Sequence, residues 1–265
     1  LGIGFEDRIE PFTKPSNWEE FRAFSPTGQV PVLLDGERTT TVPVGDGLVL
    51  TADAVLAAGP LKANHRGNRL PVLGPLVALS GLGSGVGGPV AAIAAAGLAD
   101  DAWSGPERGF AAHLRAGRTT TGVLKLVAIP AVGALATRSA AGALTVGLAA
   151  NALNQLDTKP GRALKAYLLV AALLRGRIVG RYAPIAVLLL PYDLRERGML
   201  GDAGSNALGA VVGLELVARL TERERWTAVG ILAGLNLLGE RVSVGRTIER
   251  LPLLATIDRA GRVAG

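Results

Sequence analysis

The sequence predicts an all-α protein whose helices lie in a membrane, and three observations carry that expectation. Hydrophobic residues make up 49% of the 265 positions while aromatic residues make up 4%, and the mean hydropathy is +0.35. The apolar residues, mostly Ala, Leu, Val and Gly, come in blocks, whereas polar residues recur every few positions along the half-buried elements of a soluble domain. Charged residues gather in short clusters between the blocks, where they avoid the cost of entering lipid.

The blocks run at about 47–61, 70–99, 122–137, 140–156, 166–174, 178–192, 203–220 and 226–239. An upright span needs about 20 apolar residues. The first block is short and holds Asp53. The second is too long for one upright helix and too short for two, and its centre, Gly81-Leu82-Gly83-Ser84-Gly85-Val86-Gly87-Gly88-Pro89, predicts a break or bend. Arg175, Arg177 and Arg181 separate the blocks at 166–174 and 178–192, which read as two short spans or one broken span. The pattern predicts a polytopic protein of the cell membrane with about six to eight transmembrane segments.

Residues 1–45 differ from the rest. They carry Glu6, Asp7, Arg8, Glu19 and Glu20 and lack long apolar runs, so they read as a polar N-terminal extension before a helical membrane domain at 46–265. No apolar core of a signal peptide is visible in residues 1–40. The stretch from Phe24 to Gly36, with Gln29-Val30-Pro31-Val32-Leu33-Leu34 at its centre, resembles part of the thioredoxin-like domain of glutathione transferases. That likeness covers about forty residues and lacks the strand and helix that carry the family's catalytic hydroxyl or thiol. The extension with a chance strand and turn is the favoured reading, and the long apolar blocks argue against a soluble transferase of that kind.

With no cysteine, disulfides and thiolate metal sites are excluded. The net charge of +6 does not take the form of a basic stripe interleaved with aromatics, so nucleic acid is not an expected partner. Lys and Arg in cytoplasmic loops account for it.

Three polar clusters recur at block ends. Asp100 and Asp101 close Gly97-Leu98-Ala99-Asp100-Asp101. Adjacent carboxylates repel, so the pair suggests a cation beside them, or else two solvated loop acids. Asn151, Asn154 and Asp157 are spaced three apart, which places them on one face of a helix, and Gly161 suits a helix end. The third cluster, Gly201-Asp202-Ala203-Gly204-Ser205-Asn206-Ala207-Leu208-Gly209, sets a carboxylate beside the free backbone N–H groups that open an apolar helix. That arrangement can hold a metal and a phosphate together, although a helix cap alone would explain Asp202 or Ser205.

Taken in order, the basic loop Asn64-His65-Arg66-Gly67 with Pro71 after it, the Asp100-Asp101 pair, the Asn151/Asn154/Asp157 series and the Gly201–Gly209 motif resemble the polyprenyl-phosphate phosphoglycosyl transferases. This family includes the phospho-MurNAc-pentapeptide translocase and the undecaprenyl-phosphate GlcNAc-1-phosphate transferases. The matching residues span about 60–240, and the tail from Gly239 to Arg250 is similar to actinobacterial members. The resemblance implies Mg²⁺-dependent transfer of a sugar-1-phosphate from a UDP-sugar to a polyprenyl phosphate at the cytoplasmic face, with release of UMP, in cell-wall synthesis. It implies catalytic roles for Asp100, Asp101 and Asp157, and a Mg²⁺ ligand in Asp202. Asn151, Asn154, Lys125, Gly204 and Ser205 would contact substrate, Lys125 by neutralising phosphate charge. The implied partners are the lipid, the nucleotide sugar, the membrane and a second copy in a homodimer.

The chain departs from the family in three respects, one of them a membrane region shorter than the family norm, most clearly at 70–99 and 166–192. The family's late His-rich loop, linked to sugar recognition, is absent: the two histidines are His65 and His113, and the corresponding Leu220–Trp226 is short and charged. After Asp157 the family commonly has a Gly-rich acidic step, where this chain has Thr158-Lys159-Pro160-Gly161-Arg162. These departures leave open a catalytically degenerate relative that binds a lipid carrier or an envelope-synthesis partner. A small-solute transporter would place its acids at mid-membrane in broken helices, whereas these fall at block ends.

Overall fold

The computed structural model describes residues 41–44, 48–51, 60–64, 66–103, 121–242 and 244–262. The glutathione-transferase-like stretch at 24–36, Asp53, His65 and His113 lie outside the described residues. Within them the fold is mostly helical, as the sequence predicts. Two antiparallel hairpins come first: β1 (Thr41–Val44) pairs with β2 (Leu48–Thr51), and β3 (Leu61–Ala63) with β4 (Arg69–Pro71). The block at 47–61 is therefore strand at Leu48–Thr51 rather than helix.

Ten helices follow among the described residues: α1 (Gly74–Ser80), α2 (Gly87–Trp103), α3 (Thr121–Thr137), α4 (Ala140–Leu156), α5 (Arg162–Leu174), α6 (Arg177–Leu194), α7 (Gly201–Arg219), α8 (Glu222–Arg241), α9 (Val244–Arg250) and α10 (Pro252–Arg259). The apolar blocks from 122 to 239 each fall on one helix. The long block at 70–99 breaks at its Gly-rich centre into α1 and α2, with Gly83 at φ +80° in the turn between them. The block pair around Arg175 resolves as two helices, and Arg175 itself is left-handed at φ 48°.

α7 is the centre of the bundle and packs on α1, α2, α4 and α6. Its buried face is mostly small: Gly201, Ala203, Gly204, Ser205, Ala207, Gly209, Ala210 and Gly213. A Cβ on Gly209 would stand 2.6 Å from Ala149 O, and one on Gly213 2.6 Å from Val146 Cα. The glycines thus let α7 and α4 touch backbone to backbone. Around this seam sit Leu73, Leu76, Val90, Ile93, Val146, Leu164, Tyr167, Tyr182, Leu189 and Leu208, all buried.

Among the described residues no helix is long and apolar enough to cross a membrane. Three of the most apolar, α2, α3 and α4, have 17 residues each. At 1.5 Å per residue that is about 25 Å, against a hydrocarbon core of about 30 Å. The longer helices carry charges: Arg177, Arg181 and Asp193 in α6, Asp202, Glu215 and Arg219 in α7, and both ends of α8.

Candidate active site

The polar clusters meet at one end of the bundle, around the N-terminus of α7. The β3–β4 hairpin is stitched to the segment leading into that helix: Leu73 N donates to Met199 O (2.7 Å) and Met199 N to Pro71 O (2.9 Å). Asn64 organises the hairpin turn, accepting from the N–H groups of Arg66 and Asn68 at 2.9 Å each. Its amide donates to Glu196 Oε2 at 2.8 Å, tying the turn to the loop after α6. Asn64 of the basic loop thus has a scaffolding role. What the hairpin delivers is Lys62, which sequence reasoning passed over within a charged run.

Lys62 Nζ lies 2.6 Å from Asp101 Oδ1 and 3.5 Å from Asp202 Oδ1. Asp101 also accepts the backbone N–H groups of Asp202 (to Oδ1, 3.0 Å) and Ala203 (to Oδ2, 3.0 Å). The carboxylate at the open end of α7 is thus supplied by α2, not by the helix's own Asp202, and it meets the positive end of the helix dipole. Burial by itself lowers the Lys62 pKa, but Asp202 and Asp101 outweigh it and push it up to about 12. Asp100 is buried beside Asp101.

Ser205 Oγ lies 2.8 Å from both Asn154 Oδ1 and Gly201 O, its one proton shared between them, which joins the end of α4 to the first turn of α7. Asp157 caps the C-terminus of α4. Its side chain keeps partial access to solvent, yet burial raises its pKa well above 3.8, and Asp193 and Asp202 raise it further against the opposing pull of Lys62. Asp193, at the end of α6, was not anticipated from the sequence. It accepts from Gly161 N at 2.7 Å, and burial pushes its pKa up to about 6 despite hydrogen bonds from the backbones of Gly161 and Leu200. Its spacing from the other acids gave no signal, because only the fold brings α6 to this end.

The structure separates two residues that share a face in the sequence pattern. Asn151 donates to Asn236 Oδ1 of α8, and Asn236 in turn donates to Leu148 O (3.0 Å). This amide pair holds α4 to α8. Gly161 does not end α4; at φ +73° it turns the chain into α5. A Cβ on Gly204 would stand 2.3 Å from Leu200 Cδ1, so Gly204 serves close packing. Lys125 lies within α3, at its N-terminal end.

Among the described residues no three His, Cys, Asp or Glu side chains are grouped to hold a metal ion. Asp202, in the first turn of α7, is paired with Lys62 Nζ at 3.5 Å. Mg²⁺ is commonly held by one or two carboxylates, completed by water and substrate phosphates; of the carboxylates here Asp202 is partly exposed and acts electrostatically on Asp157. Comparison with family models, curated proteins and solved structures gave no match.

Proposed function

We propose that the protein is a polytopic membrane enzyme that transfers a sugar-1-phosphate from a UDP-sugar to a polyprenyl phosphate at the cytoplasmic face, in the manner of the phosphoglycosyl transferases its motifs resemble. The observation that carries this reading is the gathering of Asp101, Asp157, Asp202, Asn154 and Ser205 around one helix N-terminus with the Lys62 ammonium among them. Phosphoryl transfer needs positioning and charge neutralisation more than covalent chemistry from the protein.

Support for the membrane comes from the outer surface. Leu135, Leu169, Leu173, Val187, Ile231, Leu235 and Leu237 all face outward from the bundle. So much exposed apolar surface marks a membrane or a partner. The glycine seam between α4 and α7 is the packing that suits lipid. Helices of this length fit a bilayer by thinning it locally, at a modest cost.

In the reaction an oxygen of the lipid phosphate attacks the β-phosphorus of the UDP-sugar. The bond from that phosphorus to the bridging oxygen breaks, and UMP leaves with the electron pair. Lys62 faces the developing phosphate charge. Asp157 holds a proton at higher pH than an ordinary carboxyl, so it can exchange one with a phosphate oxygen. Asp101 positions Lys62 and the α7 terminus. Mg²⁺ bound through Asp202 would supply further neutralisation of the diphosphate.

A second reading, a relative that binds the lipid carrier without turning it over, is favoured by the Lys62 ammonium standing between Asp101 and Asp202, where a metal would otherwise neutralise them. One assay separates the two. Membranes containing the protein are given undecaprenyl phosphate and radiolabelled UDP-sugars, with and without Mg²⁺. Mg²⁺-dependent lipid-linked product that is lost in Asp202→Asn and Asp157→Asn supports the transferase. No product with any donor, from inserted and folded protein, rejects it in favour of the binding role.

A further inference from the structure

The C-terminal helix α10 presents three faces. Ala255 and Asp258 are buried against the bundle. Leu253, 73% exposed, shares an outward arc with Leu254 and Ile257, and exposed Leu251 precedes it. Pro252, Thr256 and Arg259 line the arc opposite, along an open cleft of about 620 Å³ that Glu249 and Arg250 complete.

The helix is fixed in this orientation from below. Arg162 makes a two-pronged pair with Asp258, Nε to Oδ1 at 2.9 Å and Nη2 to Oδ2 at 2.8 Å. Lys165 Nζ donates to the carbonyls of Ile257, Asp258 and Ala260, which closes the helix C-terminus. Arg262 Nε donates to Pro160 O at 2.8 Å. These anchors lie in the turn after Asp157 and in the first turn of α5, so α10 sits at the bundle end that carries Asp157.

We propose that α10 is an interfacial helix that lies in the headgroup–acyl boundary of an anionic membrane, with Leu251, Leu253, Leu254 and Ile257 dipping toward the acyl chains and Arg250 and Arg259 meeting lipid phosphates. This rests on the membrane reading above and adds where the boundary falls. The charge is complementary. Arg250 and Arg259 are exposed on the cleft, while its one acid, Glu249, is already paired with Lys159 at 2.7 Å. An apolar arc facing lipid and a basic arc facing headgroups is the pattern of surface-lying helices, in which each arginine adds about fivefold to binding. α8 and the residue after it carry further exposed apolar side chains, Leu235, Leu238 and Val242.

The chain has no cysteine, so single labelling sites can be introduced without background. The full-length protein is reconstituted in nanodiscs of phosphatidylcholine with phosphatidylglycerol, carrying an environment-sensitive fluorophore at Leu253→Cys, Thr256→Cys or Leu235→Cys. Nitroxide lipids labelled near the headgroup or near the bilayer centre act as quenchers. The expected result is quenching at position 253 mainly by the shallow label, weaker quenching at 256 by the shallow label alone, and loss of the signal at 253 when Arg250→Gln and Arg259→Gln are combined. Quenching at 235 without quenching at 253 overturns the interfacial helix and leaves the membrane bundle standing. Quenching at neither position overturns both. A probe at 253 that turns apolar only as the protein-to-lipid ratio rises, and ignores the nitroxides, places a second copy on this face and also overturns the proposal.

Discussion

Asp101 Oδ1 lies 2.6 Å from Lys62 Nζ, and with Asp202 at 3.5 Å this contact sets the β3–β4 hairpin's ammonium among the acids of the helix bundle. The same carboxylate receives the first backbone N–H groups of α7. Asp101→Asn keeps an acceptor for one N–H but leaves Lys62 facing less charge. Asp101→Ala removes both functions. Loss of a helix cap costs about 1 kcal/mol, and stranding a mostly buried charge adds to it. Thermal unfolding in detergent should rank wild type above Asp101→Asn and that above Asp101→Ala. Equal midpoints for the three would contradict this arrangement.

Asp193 gives the acidic end a pH dependence of defined sign. Its folded pKa of about 6 lies above its ordinary value of 3.8. The folded state therefore keeps the proton where the unfolded chain releases it, and stability from this group is full below about pH 4 and falls as pH rises through 6. The loss is on the order of 2–3 kcal/mol. Asp193→Asn should flatten the stability profile across that window and raise the midpoint at pH 7 relative to wild type. A midpoint lowered equally at pH 5 and pH 7 would show that the carboxyl acts only as an acceptor for Gly161.

The Asn151–Asn236 pair is a test of how α8 is held. Removing the Asn151 amide leaves the buried Asn236 Oδ1 without its donor, at about 1–3 kcal/mol, while replacing both with leucine gives an apolar contact. Asn151→Leu and Asn236→Leu should each destabilise, and the double variant should cost less than their sum in a double-mutant cycle. Strict additivity would mean the two side chains do not act as a pair.

The glycine seam should resist any added carbon. Gly209→Ala and Gly213→Ala each place a Cβ 2.6 Å from α4 backbone atoms, which cannot swing aside as a side chain would. Overpacking of this kind costs about 1–3 kcal/mol. Gly230→Ala, whose Cβ would meet nothing within 4 Å, is the control and should be neutral or slightly stabilising through helix propensity.

The Arg162–Asp258 pair holds α10 against the turn after Asp157. Burial would raise the Asp258 pKa, but hydrogen bonds from Arg162 and Arg262 bring it down to about 2. Its contribution is present above about pH 4 and is lost as pH falls through 2. Asp258→Asn should release the helix first, with faster amide exchange over Pro252–Arg259 than over α7. Uniform acceleration across the bundle would indicate that α10 is not a separable unit.

Helix positions were legible because a helix is a local object. The Gly-rich run between Leu79 and Pro89 marked the break between α1 and α2, and the arginines at 175 and 177 marked the end of α5. The polar clusters were legible too, because acids and amides at the ends of apolar runs stand out whatever surrounds them. Lys62 and Asp193 were not. Each is an ordinary charged residue in sequence, and becomes part of the site only when the hairpin crosses to Met199 and α6 returns to the acidic end. Asn151 misled for the complementary reason. Its spacing from Asn154 and Asp157 puts it on the correct helix face, yet Asn236 arrives from 85 residues away and takes its side chain.

By itself, then, the sequence determined the all-α class, the positions of the main helices and the acidic residues at their ends, since propensity and apolar patterning act over a few residues. Only the tertiary structure decided which acid caps α7, which cation faces it and which amides meet. Those outcomes depend on contacts between segments far apart in the chain, and their energies exist only once the glycine seam has brought the helix backbones together.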